Sequence, residues 1–469
     1  MSVSVAATAV HPIPVRRLWL SLLIGSAVSL SVCGAVVAQS VIVGSAEGGW
    51  RYPYVAHDAL STFKLFVGCF LWSAGAVALL LVPVPRSGAR TLVFLVVWII
   101  LATGLQWPLR SMAPSRLETV FVSDNANSFY SVTRRHAPTE VLRQFNRVRA
   151  NAPLHVQSNM PGKLMLLYAL QLVSTRTDVL PWLVIGLSNL GAILVYLFVR
   201  DLFDDSRTAF VAGVLYLFVP ARHFFFPLLN TMTPIAILTC GWLLVRWLRT
   251  GKTAYAALMG LGLYGLVFFE PLPLVMGLLF AALVLAAIGR GEVAWDRFLA
   301  QTAVVIFVFI GTSEAVAALS GFDAVRTFRR IGSHAVEFNE STGRPYWVWV
   351  RANLWEFVFG VGLCQATSFC VLLWSALRGA SPWRERLTRP ITALCLGLLA
   401  VLIAVDLIGV NRGEVIRLWI FLACFFQIPA AYVCTMLGGL GGRAALLLVL
   451  ATTALQTAVG VAMIHFVMP

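Results

Sequence analysis

Apolar stretches of about 20 residues, each long enough to cross a bilayer as a helix, recur along nearly the whole 469-residue chain. Inside hydrocarbon, only a helix or a closed barrel satisfies its own backbone groups. Barrel strands would alternate apolar with polar, whereas these runs are continuous, so the expected class is an all-α polytopic membrane protein. Composition agrees. Charged residues make up 12% of the chain and hydrophobic ones 59%, where soluble domains carry about 25% charged residues. A disordered chain is excluded on the same grounds. Read as spans, the stretches are roughly 18–39, 63–84, 91–107, 179–199, 207–221, 228–247, 254–269, 271–289, 298–319, 355–377, 391–410, 416–436 and 444–466, about 13 helices. The turns near Pro220 and Glu270 are the tightest.

The net charge of +15 says how such a bundle sits. With the N-terminus cytoplasmic, the short inner segments hold Arg16, Arg17, Arg86, Arg90, Arg200, Arg207, Arg246, Arg249, Lys252, Arg290, Arg297, Arg378, Arg384, Arg386, Arg389 and Arg443. The short outer turns hold Arg222, Arg412 and Arg417. Basic residues in short loops stay inside, so this orientation is expected. Arg16-Arg17 with the run 18–38 also has the form of a secretory leader, Ala35–Ala38 lying at a cleavage-like position. That run is long for a leader, and a retained first span is the expected reading. Six histidines (57, 136, 155, 223, 334, 465) then fall outside and His11 inside. The eight cysteines all lie in apolar stretches with no metal-ligand or disulfide spacing, which suits packing residues.

Polar chemistry is concentrated in two outer segments, 107–178 and 320–354. In the first, Thr139–Arg149 puts Val141, Leu142, Phe145 and Val148 on one helical face with arginines opposite, the pattern of an interfacial helix. Lys163–Val173 is a second short apolar stretch. Asp124, in Ser123-Asp124-Asn125, has two readings: a general base at the membrane surface, or a turn or cap residue. His155 and Lys163 flank Pro161-Gly162 and together suit a phosphate, although each alone reads as a solvated interfacial residue. The segment 320–354 mixes Arg326, Arg329, Arg330, His334, Arg344 and Arg351 with Tyr346, Trp347 and Trp349. That composition fits lipid headgroups, a sugar phosphate or an ordinary aromatic belt.

Arg412-Gly413-Glu414 and Arg417 form a second outer cluster between two spans. Ionisable groups beside hydrocarbon are costly and tend to be paired or functional. Glu414 and Arg417 suit an i,i+3 pair, and the guanidinium fork suits phosphate. Glu270 before Pro271 reads as a helix-start residue or a site residue. Arg222-His223 is expected in an outward turn. Asp406 and Glu314 stand inside apolar stretches, with no partner readable from sequence.

The run Leu187 to Phe203, followed by Arg207 and Ala212 to Pro220, resembles the membrane core of the GT-C glycosyltransferases, the superfamily of protein O-mannosyltransferases and lipid A aminoarabinose transferases. His155…Pro161-Gly162-Lys163-Leu164 resembles the stretch that precedes that core, and Asp124 matches the position of the family's acidic residue. The likeness covers roughly 120–290. Among the departures from the pattern, the loop follows the third span rather than the first, and Asn125 stands where many members have a second acid.

The resemblance implies a GT-C-like enzyme that takes a sugar from a polyprenyl-phosphate-linked donor. Asp124 would be the catalytic base, and His155, Lys163, Arg412 and Arg417 would bind the donor phosphate. Glu270, Glu414, Arg222 and His223 are further site candidates. Implied partners are the lipid-linked donor, membrane lipids and a glycan, lipid or protein acceptor, with no nucleic acid. No cofactor is expected, and a divalent metal is left open. The organisation is then 1–106 N-terminal helices, 107–178 catalytic loop, 179–319 core, 320–354 outer loop and 355–469 C-terminal helices, in a bacterial plasma membrane. The competing reading is a transporter or flippase for a lipid-linked sugar or other anion, which would place paired ionisable groups mid-membrane in broken helices.

Overall fold

The computed structural model describes residues 13–81, 88–378 and 381–469. His11, Arg86 and the end of the second expected span, 82–84, lie outside them. Among the described residues, ten helices are long and apolar enough to cross a membrane. An eleventh candidate is Tyr346–Val361 with Leu363–Arg378, two helices that meet at a bend of 106°. Thr253–Phe269 and Ile420–Met436 are shorter apolar helices, and the expected 13 requires both of them and the bent pair. Strand is confined, among the described residues, to Gly44–Ser45 paired antiparallel with Trp50–Arg51.

Burial separates a centre from a rim. Ser206–Phe225 is 100% buried over its apolar window and Gly439–Met463 78%, whereas Trp295–Ser320 is 6% buried. Phe307 and Leu319 on that last helix are 78% and 87% exposed. In a bilayer those faces meet lipid, so their exposure costs nothing. The eight cysteines are free, and seven of them are buried.

The bend at Gly362 frees backbone groups in an apolar interior, where each unpaired one is expensive. Glutamines from two neighbouring helices satisfy them. Gln456 Nε2 donates to the Phe359 carbonyl at 2.7 Å, Gln427 Nε2 donates to that of Val361 at 3.2 Å, and Leu363 N–H donates to Gln456 Oε1 at 3.3 Å.

At one end of the bundle, short helices from the 107–178 segment have a core of their own. Phe121, Phe129, Val132, Val141, Phe145, Val148 and Leu164 pack there with Phe322 and Ile331 from the other outer segment. The helix expected over Thr139–Arg149 is two helices, Pro138–Arg143 and Phe145–Ala150, broken at Gln144. Its apolar face is still buried at Val141, Phe145 and Val148. The second outer segment is the helix Ala324–Ser341, and the next helix begins at Tyr346 rather than near 355.

One expected turn is corrected. Ser206–Leu217 ends before Phe218 and Val219, and Pro220 starts a second helix, Pro220–Phe225, that continues the same candidate span. Proline at a first helical position loses no hydrogen bond. Arg222 and His223 are therefore not in an outward turn but inside the packed bundle, both 0% exposed.

Candidate functional site

A cavity of about 310 Å³ opens at the end of the bundle that carries the short helices. Its walls come from residues 154–159, from Asn230 and Glu270–Leu272, from the Ala324–Ser341 helix and from the loop 410–418. Each of these segments is a connection at the same end of the spans.

The loop 410–418 is shaped by its backbone. Gly409, Gly413 and Glu414 have φ of 64°, 87° and 59°. At Gly413 a Cβ would come within 2.7 Å of the Trp349 ring, so only glycine admits that approach. Glu414 takes a left-handed conformation that costs an L-residue about 1–2 kcal/mol, and its surroundings hold it there. Asn353 Nδ2 donates to the Asn411 carbonyl and to Asp406 Oδ1, both at 3.0 Å, while its Oδ1 accepts from Gly413 N–H at 3.1 Å. Glu356, fully buried, accepts from Val415 N–H at 2.9 Å. Asn339 Nδ2 donates to the Val410 carbonyl at 2.9 Å.

This loop presents Glu414 between two arginines. Arg417 Nη2 lies 2.6 Å from Glu414 Oε2, the i,i+3 pair expected from spacing, and Arg344 Nη2 lies 3.6 Å from Oε1. Arg412 Nη1 donates to the Arg344 carbonyl at 2.8 Å, and Arg344 donates in return to the Arg412 carbonyl. Arg344 also packs over Trp50, Phe338 and Trp349. Arg417 Nε is buried with no acceptor.

Arg417 Nη1 approaches His155 Nε2 at 3.2 Å, and that same nitrogen lies 2.9 Å from the Asn125 carbonyl. A nitrogen that donates to the carbonyl cannot also accept from the guanidinium, so the two contacts compete. Burial, then the Arg417 charge, push the His155 pKa down to about 3. The imidazole is neutral at physiological pH.

The opposite wall holds Glu270. Gly162 lets the helix Gly162–Val173 meet the end of Thr253–Phe269: a Cβ there would sit 2.5 Å from the Phe268 carbonyl oxygen. That approach places Lys163, fully buried, with its Nζ 3.0 Å from Glu270 Oε2 and 2.7 Å from Asn159 Oδ1. Glu270 also accepts from the Thr233 hydroxyl at 2.5 Å. Burial lowers the Lys163 pKa, and Glu270 opposes that shift. Glu270 caps the C-terminal end of its helix in an extended conformation, instead of starting the next one.

Of the residues singled out in the sequence, His155, Glu270, Arg412, Glu414 and Arg417 line one cavity, and Lys163 stands directly behind Glu270. Asp124 does not line it. Its side chain is exposed and accepts from the Ser131 hydroxyl, in a turn organised by Ser123, whose Oγ accepts from the N–H groups of Asn125 and Ala126 at 3.1 Å. Asp124 nonetheless adjoins Asn125, which contacts His155. Arg222 and His223 belong to a separate buried network. Arg222 donates to Asn189 Oδ1 at 2.7 Å and Ser188 Oγ at 3.0 Å, and His223 Nε2 meets Gln106 Nε2 at 2.8 Å.

Arg344 was legible only as one basic residue among several, and Asn159, Asn339 and Asn353 gave no signal at all. Arg344, Arg412 and Arg417 thus stand beside Glu414 on one wall, and Glu270 backed by Lys163 on the other, of a space also lined by Leu154, Phe328, Ile331, Phe338 and Leu418. The arrangement suits an anion carrying an apolar body. Among the described residues, no group of three or more His, Cys, Asp or Glu side chains is placed to hold a metal ion. Comparison with protein-family models finds no match, and no curated protein matches the chain.

Proposed function

We propose that the protein is a glycosyltransferase that moves a sugar from a polyprenyl-phosphate-linked donor to an acceptor at the extracytoplasmic membrane face. The observation that carries this reading is the convergence of Arg412, Arg417, His155 and the Lys163–Glu270 pair on one half-apolar cavity. Planar guanidinium groups bind phosphate oxygens in a forked geometry, and the apolar wall accommodates the start of a lipid chain. An acceptor hydroxyl attacks the anomeric carbon, and the bond from that carbon to the phosphate oxygen breaks. The phosphate leaves with its charge held by Arg412 and Arg417. The hydroxyl proton passes to a carboxylate.

Asp124 is the proposed base, and its place beside the His155 contact supports that role. Glu270 is the second candidate, favoured by its position in the cavity wall; Lys163 and Thr233 both engage its Oε2, and Asn230 Nδ2 donates to its Oε1 at 3.4 Å. In this reading the bundle has 13 spans, the N-terminus is cytoplasmic and the membrane is a bacterial plasma membrane. Charged lining residues gather at one end of the spans, which favours an enzyme over a carrier. The test is to incubate the purified chain with a polyprenyl-phosphate hexose or pentose and follow release of polyprenyl phosphate. Release that depends on Arg417 supports the proposal. No release with any such donor, alongside transport of the intact lipid in vesicles, would replace it with the carrier.

A further inference from the structure

The face of the Ala324–Ser341 helix turned away from the cavity carries a second, unneutralised concentration of charge. Arg326, Arg329 and Arg330 are exposed in its first turns, where the helix dipole disfavours cations. Across a seam lies the pair of short helices that carry Arg143 and Arg149. Asn146 Nδ2 donates to Thr327 Oγ1 at 3.0 Å, which clamps the two walls together. Arg143 Cγ stands 3.6 Å from the position a Gly321 Cβ would take. Burial and the facing Arg330 both lower the Arg149 pKa.

Among the described residues none of these five arginines has a carboxylate within 4.0 Å, although eight other arginines do. The adjacent acid, Asp323, is engaged at the helix start, where it accepts from Arg326 N–H at 2.8 Å. Like charges gathered this closely disfavour the fold unless an anion joins them.

Position identifies the anion. The helix follows Trp295–Ser320, the least buried of the ten long apolar helices among the described residues. Val325, 61% exposed, stands one turn before Arg329 and beside Arg326, so an apolar side chain is set among the arginines. Apolar side chains interleaved with arginines are the mark of a helix seated among anionic headgroups. We propose that the seam between Arg143–Arg149 and Arg326–Arg330 binds the phosphodiester headgroup of an anionic phospholipid. This site is separate from the cavity and does not depend on the function assigned there.

The full chain, purified in detergent, is titrated with phosphatidylglycerol and with phosphatidylcholine of the same chain length, and retained lipid is counted by native mass spectrometry. Phosphatidylglycerol is expected to bind about tenfold more tightly or better, and Arg326→Gln/Arg329→Gln/Arg330→Gln to abolish most of that preference. Arg143→Gln, on the facing wall, lowers it in the same direction and gives an independent reading if the triple variant fails to fold. Arg378→Gln/Arg384→Gln, at the other end of the bundle, leaves it unchanged. Equal affinity for the two lipids, equal loss in that last variant, or displacement of phosphatidylglycerol by millimolar inorganic phosphate would overturn the proposal.

Discussion

Arg417 and His155, 262 positions apart, meet at 3.2 Å in the wall of the cavity. The neutral imidazole and the guanidinium share a nitrogen already engaged by the Asn125 carbonyl. Arg417 therefore holds donor capacity that only a further acceptor would satisfy: its Nε is unpartnered and its Nη1 has a competing partner. In the proposed reaction an oxygen of the donor phosphate would be that acceptor.

Arg417→Ala should weaken donor binding by tenfold or more, because hydrogen bonds to charged groups contribute about 1.5–3 kcal/mol each. Acceptor affinity should change far less. Titration with donor analogue, monitored by intrinsic fluorescence, measures this; an unchanged dissociation constant removes Arg417 from the phosphate site.

Lys163→Met leaves Glu270 buried without its cation. Breaking a buried pair from one side costs about 3–5 kcal/mol. The variant should therefore unfold at a clearly lower temperature in detergent, and Lys163→Met/Glu270→Gln should recover much of the loss. If the single and double variants unfold alike, the pair is not the source of the effect.

His155 has a pKa pushed down to about 3 from an ordinary 6.5. Between those values the unfolded chain binds a proton that the folded chain does not, so stability falls as pH drops from 6.5 toward 3 and is unaffected above that window. His155→Asn should flatten this part of the unfolding-temperature profile. A difference between variant and parent that is the same at pH 7 and pH 4.5 contradicts the burial argument.

Asp124→Asn should reduce sugar transfer by about 10²–10⁴-fold, the usual contribution of a general base. Its exposure predicts unchanged membrane insertion and unfolding temperature. Glu270→Gln distinguishes the two carboxylates. Full transfer by Asp124→Asn together with none by a folded Glu270→Gln assigns the base to Glu270.

The membrane class was legible because hydrocarbon forces continuous apolar runs, and the cluster around Arg412, Glu414 and Arg417 because charge next to those runs is costly. The Glu414–Arg417 pair was readable since both lie within one turn. Lys163–Glu270 was not, because its partners come from different helices and meet only where Gly162 permits close approach. Arg222 was misread for a related reason. Pro220 does follow a helix stop at Leu217, but a second helix starting at Pro220 carries the span on into the bundle. The acceptors that let Arg222 be buried, Ser188 and Asn189, belong to another span.

Photo-crosslinking addresses the cavity most directly. A polyprenyl-phosphate-sugar analogue with a diazirine near the phosphate is applied to the purified chain, and labelled peptides are mapped. The account predicts labelling within residues 154–159 and 410–418, suppressed by excess unmodified donor and by Arg412→Ala/Arg417→Ala. Labelling confined to other segments, or undiminished in that double variant, would contradict it.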